Sequence, residues 1–156
     1  MANVNDYTAG KVLADVKLAI FLLRFANIPI VGFVTGKVLL RRTRKFEPRL
    51  IDMKIASELI GKSRKCAVGE RVCRELYKNS GFTESVFPDE LADGMTAAGK
   101  AEYVTKEKAI STLKKYPDNP LILSKISGKY MELCCSSPDV CVYWNMGKCG
   151  LKCLNN

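Results

Sequence analysis

Histidine is absent from all 156 residues, and that absence removes much of ordinary catalytic and metal chemistry. No Ser–His or Cys–His pair can form. No imidazole can ligate zinc, iron or haem, and the C-x-x-C-H haem attachment is excluded. Any metal must be held by thiolate, carboxylate or backbone, and soft thiolates select zinc, copper(I) or iron–sulfur clusters. The sequence also lacks a phosphate-binding glycine loop, an acid–base pair at useful spacing, internal repeats and low-complexity stretches. Residues 1–10 carry Asp6 but no Lys or Arg, and no small-residue cleavage site follows an apolar stretch, so a secretory signal is not expected. These absences predict a non-catalytic protein without a small-molecule substrate.

Cysteine is abundant, with seven residues. An odd number fits poorly with a closed disulfide framework. The expected compartment is therefore reducing and cytoplasmic, peripheral at a membrane if the hydrophobic half docks there. In such a compartment clustered cysteines mark metal or redox chemistry. Five of the seven, Cys134, Cys135, Cys141, Cys149 and Cys153, fall within 20 consecutive positions. Only Cys149 and Cys153 have the close spacing of a zinc knuckle. Cys134 and Cys135 are adjacent, so their side chains diverge and one of them is spare. Separations of five and seven residues suit a larger object wrapped by an irregular loop. The expected ligands are Cys134 or Cys135 with Cys141, Cys149 and Cys153, around a [4Fe–4S] cluster, with zinc as the alternative. Pro138, Gly147 and Gly150 supply turns for such a wrap, and Lys148 and Lys152 offset its negative charge. Cys66 and Cys73 read first as small buried core residues. A minority reading places one of them beside the cluster as an extra ligand or redox partner.

The formal charge of +9 is concentrated. From Lys37 to Glu75 there are twelve basic and five acidic residues, a net +7. The basic side chains Lys37, Arg41, Arg42, Arg44, Lys45 and Arg49 are the candidates to face an anionic partner or membrane surface. They follow the most apolar stretch, residues 18–40. Arg24, Asn27, Pro29, Gly32 and Gly36 argue against a single span and for two helices, over 12–26 and 29–40. An apolar helix with a polybasic exit is the pattern of a segment lying on anionic lipid. The alternative is a hydrophobic hairpin buried against the protein or a larger, membrane-embedded complex. Nucleic acid is disfavoured as a partner, because between Lys37 and Arg74 only Phe46 interrupts the basic residues as an aromatic.

Periodicity predicts further helices over 50–60, 63–79 and 106–116, a short one starting at 87–90, and Thr105 as an N-cap. Residues 121–123 read as a short strand or a first helical turn. The expected fold is mainly α: a small helical domain with an irregular cysteine-rich, metal-binding C-terminal tail. Its expected organisation is a docking segment (1–45), a helical domain (46–130) and the tail (131–156).

The stretch Gly99-Lys100-Ala101-Glu102-Tyr103-Val104-Thr105-Lys106-Glu107-Lys108-Ala109, leading on to Glu132-Leu133-Cys134-Cys135, resembles a cysteine-rich region in iron–sulfur proteins of methanogenic archaea. It covers about a third of the chain. The paired C-x-x-C-x-x-C runs of ferredoxins are missing. The resemblance implies a cluster-bearing accessory protein of anaerobic energy metabolism. The cysteine tract and the apolar, basic N-terminal half add the expectation of a regulatory subunit docked on a membrane-associated complex such as a methanogen methyltransferase, its cluster a structural pin or a redox or oxygen sensor. An electron-transfer subunit of an oxidoreductase, or a zinc-stapled basic nucleic-acid-binding protein, are the other readings.

Overall fold

The computed structural model describes residues 3–26, 28, 30–76 and 84–155, without the side chains of Arg74 and Glu75. Among these, helices α1 (Val4–Thr8), α2 (Lys11–Leu23) and α3 (Val31–Thr43) come first. A 3₁₀ turn (Arg44–Phe46) leads to strand β1 (Arg49–Ile51) and helix α4 (Met53–Lys62). Strand β2 (Cys66–Glu70), a second 3₁₀ turn (Val72–Leu76) and β3 (Glu84–Pro88) follow. The chain then runs through α5 (Asp89–Ala97), β4 (Ala101–Val104), α6 (Lys106–Lys114), β5 (Leu121–Ile126), β6 (Lys129–Cys135) and α7 (Val142–Lys148). The six strands form one sheet in the order β1-β5-β6-β3-β2-β4, every neighbouring pair antiparallel.

The protein is therefore mixed α/β and not mainly α, which corrects the expectation from sequence. The reason lies in how the central strands are buried. Helices cover both faces of the sheet, so strands such as Leu121-Ile122-Leu123-Ser124-Lys125-Ile126 are buried along nearly their whole length. They lose the apolar–polar alternation by which half-exposed strands are recognised. The helix expected over 63–79 is replaced by β2 and the second 3₁₀ turn, and its expected stop at Ser80-Gly81 lies outside the described residues. At Gly69 a Cβ would sit on the carbonyl oxygen of Lys100 and 2.6 Å from the Ala101 Cβ. Glycine there lets β4 close against β2. The β5–β6 hairpin turns on Ser127 and Gly128, both left-handed at φ 52° and 80°, the geometry of a tight two-residue hairpin.

The helices read correctly from sequence are those with strong local signals. Thr105 caps α6, its hydroxyl accepting from the Lys108 N–H at 3.2 Å, and Asp52 caps α4 by accepting from the Ile55 N–H at 2.8 Å. The apolar stretch divides into α2 and α3, with Asn27 and Pro29 of the break outside the described residues. A Cβ at Gly32 would collide with the Ala26 carbonyl, so that glycine allows the hairpin to close tightly. No helix among the described residues is long and apolar enough to cross a membrane.

On one face of the sheet α4 and α6 bury Ala56, Ile60, Ala109 and Leu113 against Cys66, Val86, Leu133 and Cys135. On the other face α1, α2 and α5 bring Tyr7, Val12, Leu91 and Met95 against Phe87, Ile126 and Met131. The α2–α3 hairpin then packs on α7 through Ala19, Leu39, Val142 and Met146. A β-bulge sets up the site. Ser124 pairs with Glu132 but Lys125 pairs with Tyr130, which leaves Met131 as the extra residue. Met131 and the next residue, Glu132, consequently both meet the side of the sheet covered by α1 and α2.

Two glycine replacements test this packing by thermal denaturation. Gly69→Ala should lower stability by about 1–3 kcal/mol, the usual range for overpacking. Gly61→Ala in α4, where an added Cβ meets nothing within 4 Å, should raise it by roughly 0.5–1 kcal/mol.

Candidate thiol centre beneath the N-terminal hairpin

The second face of the sheet holds an unusual burial. Arg71, directly after β2, and Glu132, on the bulge of β6, are 7% and 2% exposed. Two ionised groups can persist at that depth only if each compensates the other. The Arg71 Nε lies 2.8 Å from Glu132 Oε1. The Tyr7 hydroxyl donates to the same oxygen at 2.6 Å. Burial, then the charge of Glu132, pushes the Tyr7 hydroxyl well above its ordinary range, so it stays a donor. The Arg71 guanidinium also faces the ring of Tyr143, 5.7 Å from its centroid. Its Nη1 is buried with no hydrogen-bond partner among the described residues. A cavity of about 60 Å³ opens beside the pair, bounded by Ala19 of α2, Leu39 of α3, Arg71, Cys73, Cys141 and Tyr143.

Around this guanidinium the chain gathers thiols from separate segments. Cys73 comes from the second 3₁₀ turn, Cys134 from β6 and Cys141 from the N-cap of α7. All three are buried. Burial pushes the Cys73 thiol up to about 12; Arg71 opposes that rise, while Cys134 and Cys141 add to it. Burial likewise raises Cys141, against the pull of Arg71 and of the Trp144 N–H. Cys153, half-buried near the C-terminus, is pushed to about 11 by burial and then by Cys141. Cys73, Cys141 and Cys153 therefore stay neutral thiols near neutral pH. Burial opposes the charge on Arg71, but its anionic neighbour Glu132 helps to hold it on.

The structure distributes the cysteines of the C-terminal tract differently from their order in sequence. Cys134 and Cys135 follow one another on a strand, so their side chains leave opposite faces of the sheet. Cys134 faces Arg71. Cys135 packs with the α4–α6 core, its Sγ donating to the Leu113 carbonyl at 3.3 Å. Cys149 is the C-cap of α7 and half-buried. Cys66 lies in the same core as Cys135, its Sγ 3.1 Å from the Ser63 hydroxyl. Cys73 thus joins the C-terminal thiols, whereas Cys66 does not. Among the described residues no group of three or more cysteine, aspartate or glutamate side chains stands in a geometry that holds a metal ion.

The basic residues divide as well. Lys37 and Arg41 lie on the exposed side of α3, and Arg44 and Lys45 on the exposed turn after it. Arg42 pairs with Asp15 across the hairpin. Arg49, on β1, sits 5.1 Å over the ring of Tyr130 and takes no part in the hairpin. Arg71 and Glu132 were not singled out by sequence reasoning. No local pattern marks a buried ion pair whose partners are 61 positions apart. The only hint was Glu132 within an otherwise apolar run, Met131 to Cys135.

Comparison with protein-family models, curated proteins and solved structures found no match, so the site is read from its own chemistry.

Removing one partner of the pair should be far worse than removing both. Glu132→Gln should cost about 3–5 kcal/mol in denaturant unfolding, because it strands a buried guanidinium. The double variant Arg71→Met with Glu132→Leu should recover much of that loss.

Proposed function

We propose that this chain is a non-catalytic accessory or regulatory subunit of a larger assembly, with the buried thiols around Arg71 as its redox- or metal-responsive element. The observation that carries this reading is that Cys73 and Cys141 line one cavity with Arg71 directly under the α2–α3 hairpin, with buried Cys134 on the neighbouring strand β6. Such a set joins the C-terminal tract to the N-terminal half through a single pocket. A [4Fe–4S] cluster is the leading occupant and zinc the alternative. The ligands favoured are Cys73, Cys134, Cys141 and Cys153, with Cys135 and Cys149 set aside. Because no three of these groups stand at ligand geometry, loading would require the C-terminal segment to rearrange. That movement is what would make occupancy a signal, since ligation energy in small sites is folding energy. Electron transfer is the weaker reading, as the thiols are covered by the hairpin.

A second reading is favoured by the lack of a preformed ligand set: the same thiols acting without metal, as a dithiol–disulfide switch.

Anaerobic purification followed by an absorbance spectrum and iron, sulfide and zinc analysis separates these. The cluster reading predicts broad absorbance near 400 nm and about four irons per chain, lost in Cys73→Ser and Cys141→Ser but kept in Cys135→Ser and Cys149→Ser. About one zinc with the same variant pattern would make zinc the occupant. A metal-free chain that forms a disulfide at Cys73 on mild oxidation would support the second reading. Metal that is lost in Cys149→Ser and retained in Cys73→Ser would overturn the ligand set.

A further inference from the structure

Ten large apolar side chains are exposed among the described residues, and eight of them belong to one element, the α2–α3 hairpin. Ile30 is 84% exposed, Phe33 66% and Val34 57%, with Phe21 and Leu18 facing out from α2. Scattered exposed apolar residues are normal for a folded surface, but a concentration on one projecting element marks an interaction site.

The charge on the same element has one sign. From Val16 to Phe46 there is no Asp or Glu, while Lys17, Arg24, Lys37, Arg41, Arg42, Arg44 and Lys45 supply seven cations. Arg42 is turned to Asp15; the other six are exposed. Their placement along the hairpin is graded. Lys17 precedes the end of α2 by six residues and Lys37 follows the start of α3 by six. At 1.5 Å per residue both lie ~9 Å from the hairpin tip. Arg41, Arg44 and Lys45 lie further back. Lys37 is tied to the boundary, its Nζ 4.2 Å over the ring of Phe33. Arg24, at the C-cap of α2, has a stem that can carry its guanidinium back toward that level.

We infer that the α2–α3 hairpin is an anchor for an anionic lipid bilayer, inserted tip-first to the level of Lys17 and Lys37. An apolar tip of ~9 Å matches the roughly 5–10 Å to which interfacial helices enter the headgroup and acyl boundary. A ring of cations behind it meets the lipid phosphates. Each helix has thirteen residues, or ~20 Å, which falls short of a ~30 Å hydrocarbon core. The hairpin therefore enters one leaflet. A protein partner fits less well, because protein interfaces are depleted in lysine relative to the rest of the surface, whereas exposed Lys17 and Lys37 border this apolar stripe. The inference uses the proposed function only for what lies beneath the hairpin and does not depend on the thiols.

The test is flotation of the full chain with vesicles of phosphatidylcholine alone or mixed with phosphatidylglycerol. Binding should require the anionic lipid, and the pair Lys37→Glu with Arg41→Glu should weaken it by at least about tenfold. Phe33→Glu should abolish it. Being exposed, these positions should leave the thermal midpoint unchanged. Phe33→Trp reports depth, and its fluorescence should shift to the blue only on anionic vesicles. Absence of binding overturns the inference, and so does binding without a Phe33→Trp shift, which would place the hairpin on the surface and not in it. Self-association through Phe33 in the absence of lipid affinity would overturn it in favour of a protein contact. Repeating the flotation with Cys141→Ser separates the two proposals. Retained binding leaves the anchor standing even where metal analysis has removed the thiol centre.

Discussion

The buried Arg71–Glu132 pair is the constraint on which much of the remaining arrangement depends. Neither charge could stay at that depth alone, so whatever brings them together must be completed before the structure is stable. Glu132 reaches the site only because the β6 bulge turns it to the α1–α2 side. Arg71 reaches it because the chain leaves β2 straight into the 3₁₀ turn that carries Cys73. Tyr7 comes from the first helix and shares the carboxylate. One ion pair thus binds the N-terminus, the centre of the sequence and the last strand into a single unit.

That geometry explains why the thiols meet where they do. Cys73 is two residues from Arg71, and Cys134 two from Glu132 on a strand, where a spacing of two keeps side chains on one face. Cys141 is delivered by the short return after β6 and fixed as the N-cap of α7. The helix it opens packs against Ala19 and Leu39 of the hairpin. A change in the thiols is therefore next to the surface that the protein presents outward.

Legibility in the sequence followed local signal strength. The cap at Thr105, the break between α2 and α3 and the apolar stripe of α6 were readable, because each is decided within a few residues. The sheet was not readable, because its central strands are covered on both sides and carry continuous apolar runs. The helix expected over 63–79 ran straight through Gly69, whose role is set by β4, more than thirty residues away. The cysteine tract was legible as a cluster in the sequence but not as a geometry. Adjacency in sequence grouped Cys134 with Cys135, which a strand sends to opposite faces, and hid Cys73, which approaches only through the fold. The divergence of Cys134 and Cys135 was foreseeable from their adjacency alone; the arrival of Arg71 between the thiols was not.

The central claim is that the thiols and the hairpin form one coupled unit through the Arg71–Glu132 pocket. Hydrogen–deuterium exchange of the full chain, read on α2 and α3, addresses it most directly. The account predicts that amide protection across residues 11–23 and 31–43 changes between the reduced, metal-supplied protein and the same protein oxidised or stripped of metal, and that Cys141→Ser removes the difference. Identical hairpin exchange in every thiol state, in a chain that remains folded, would contradict it.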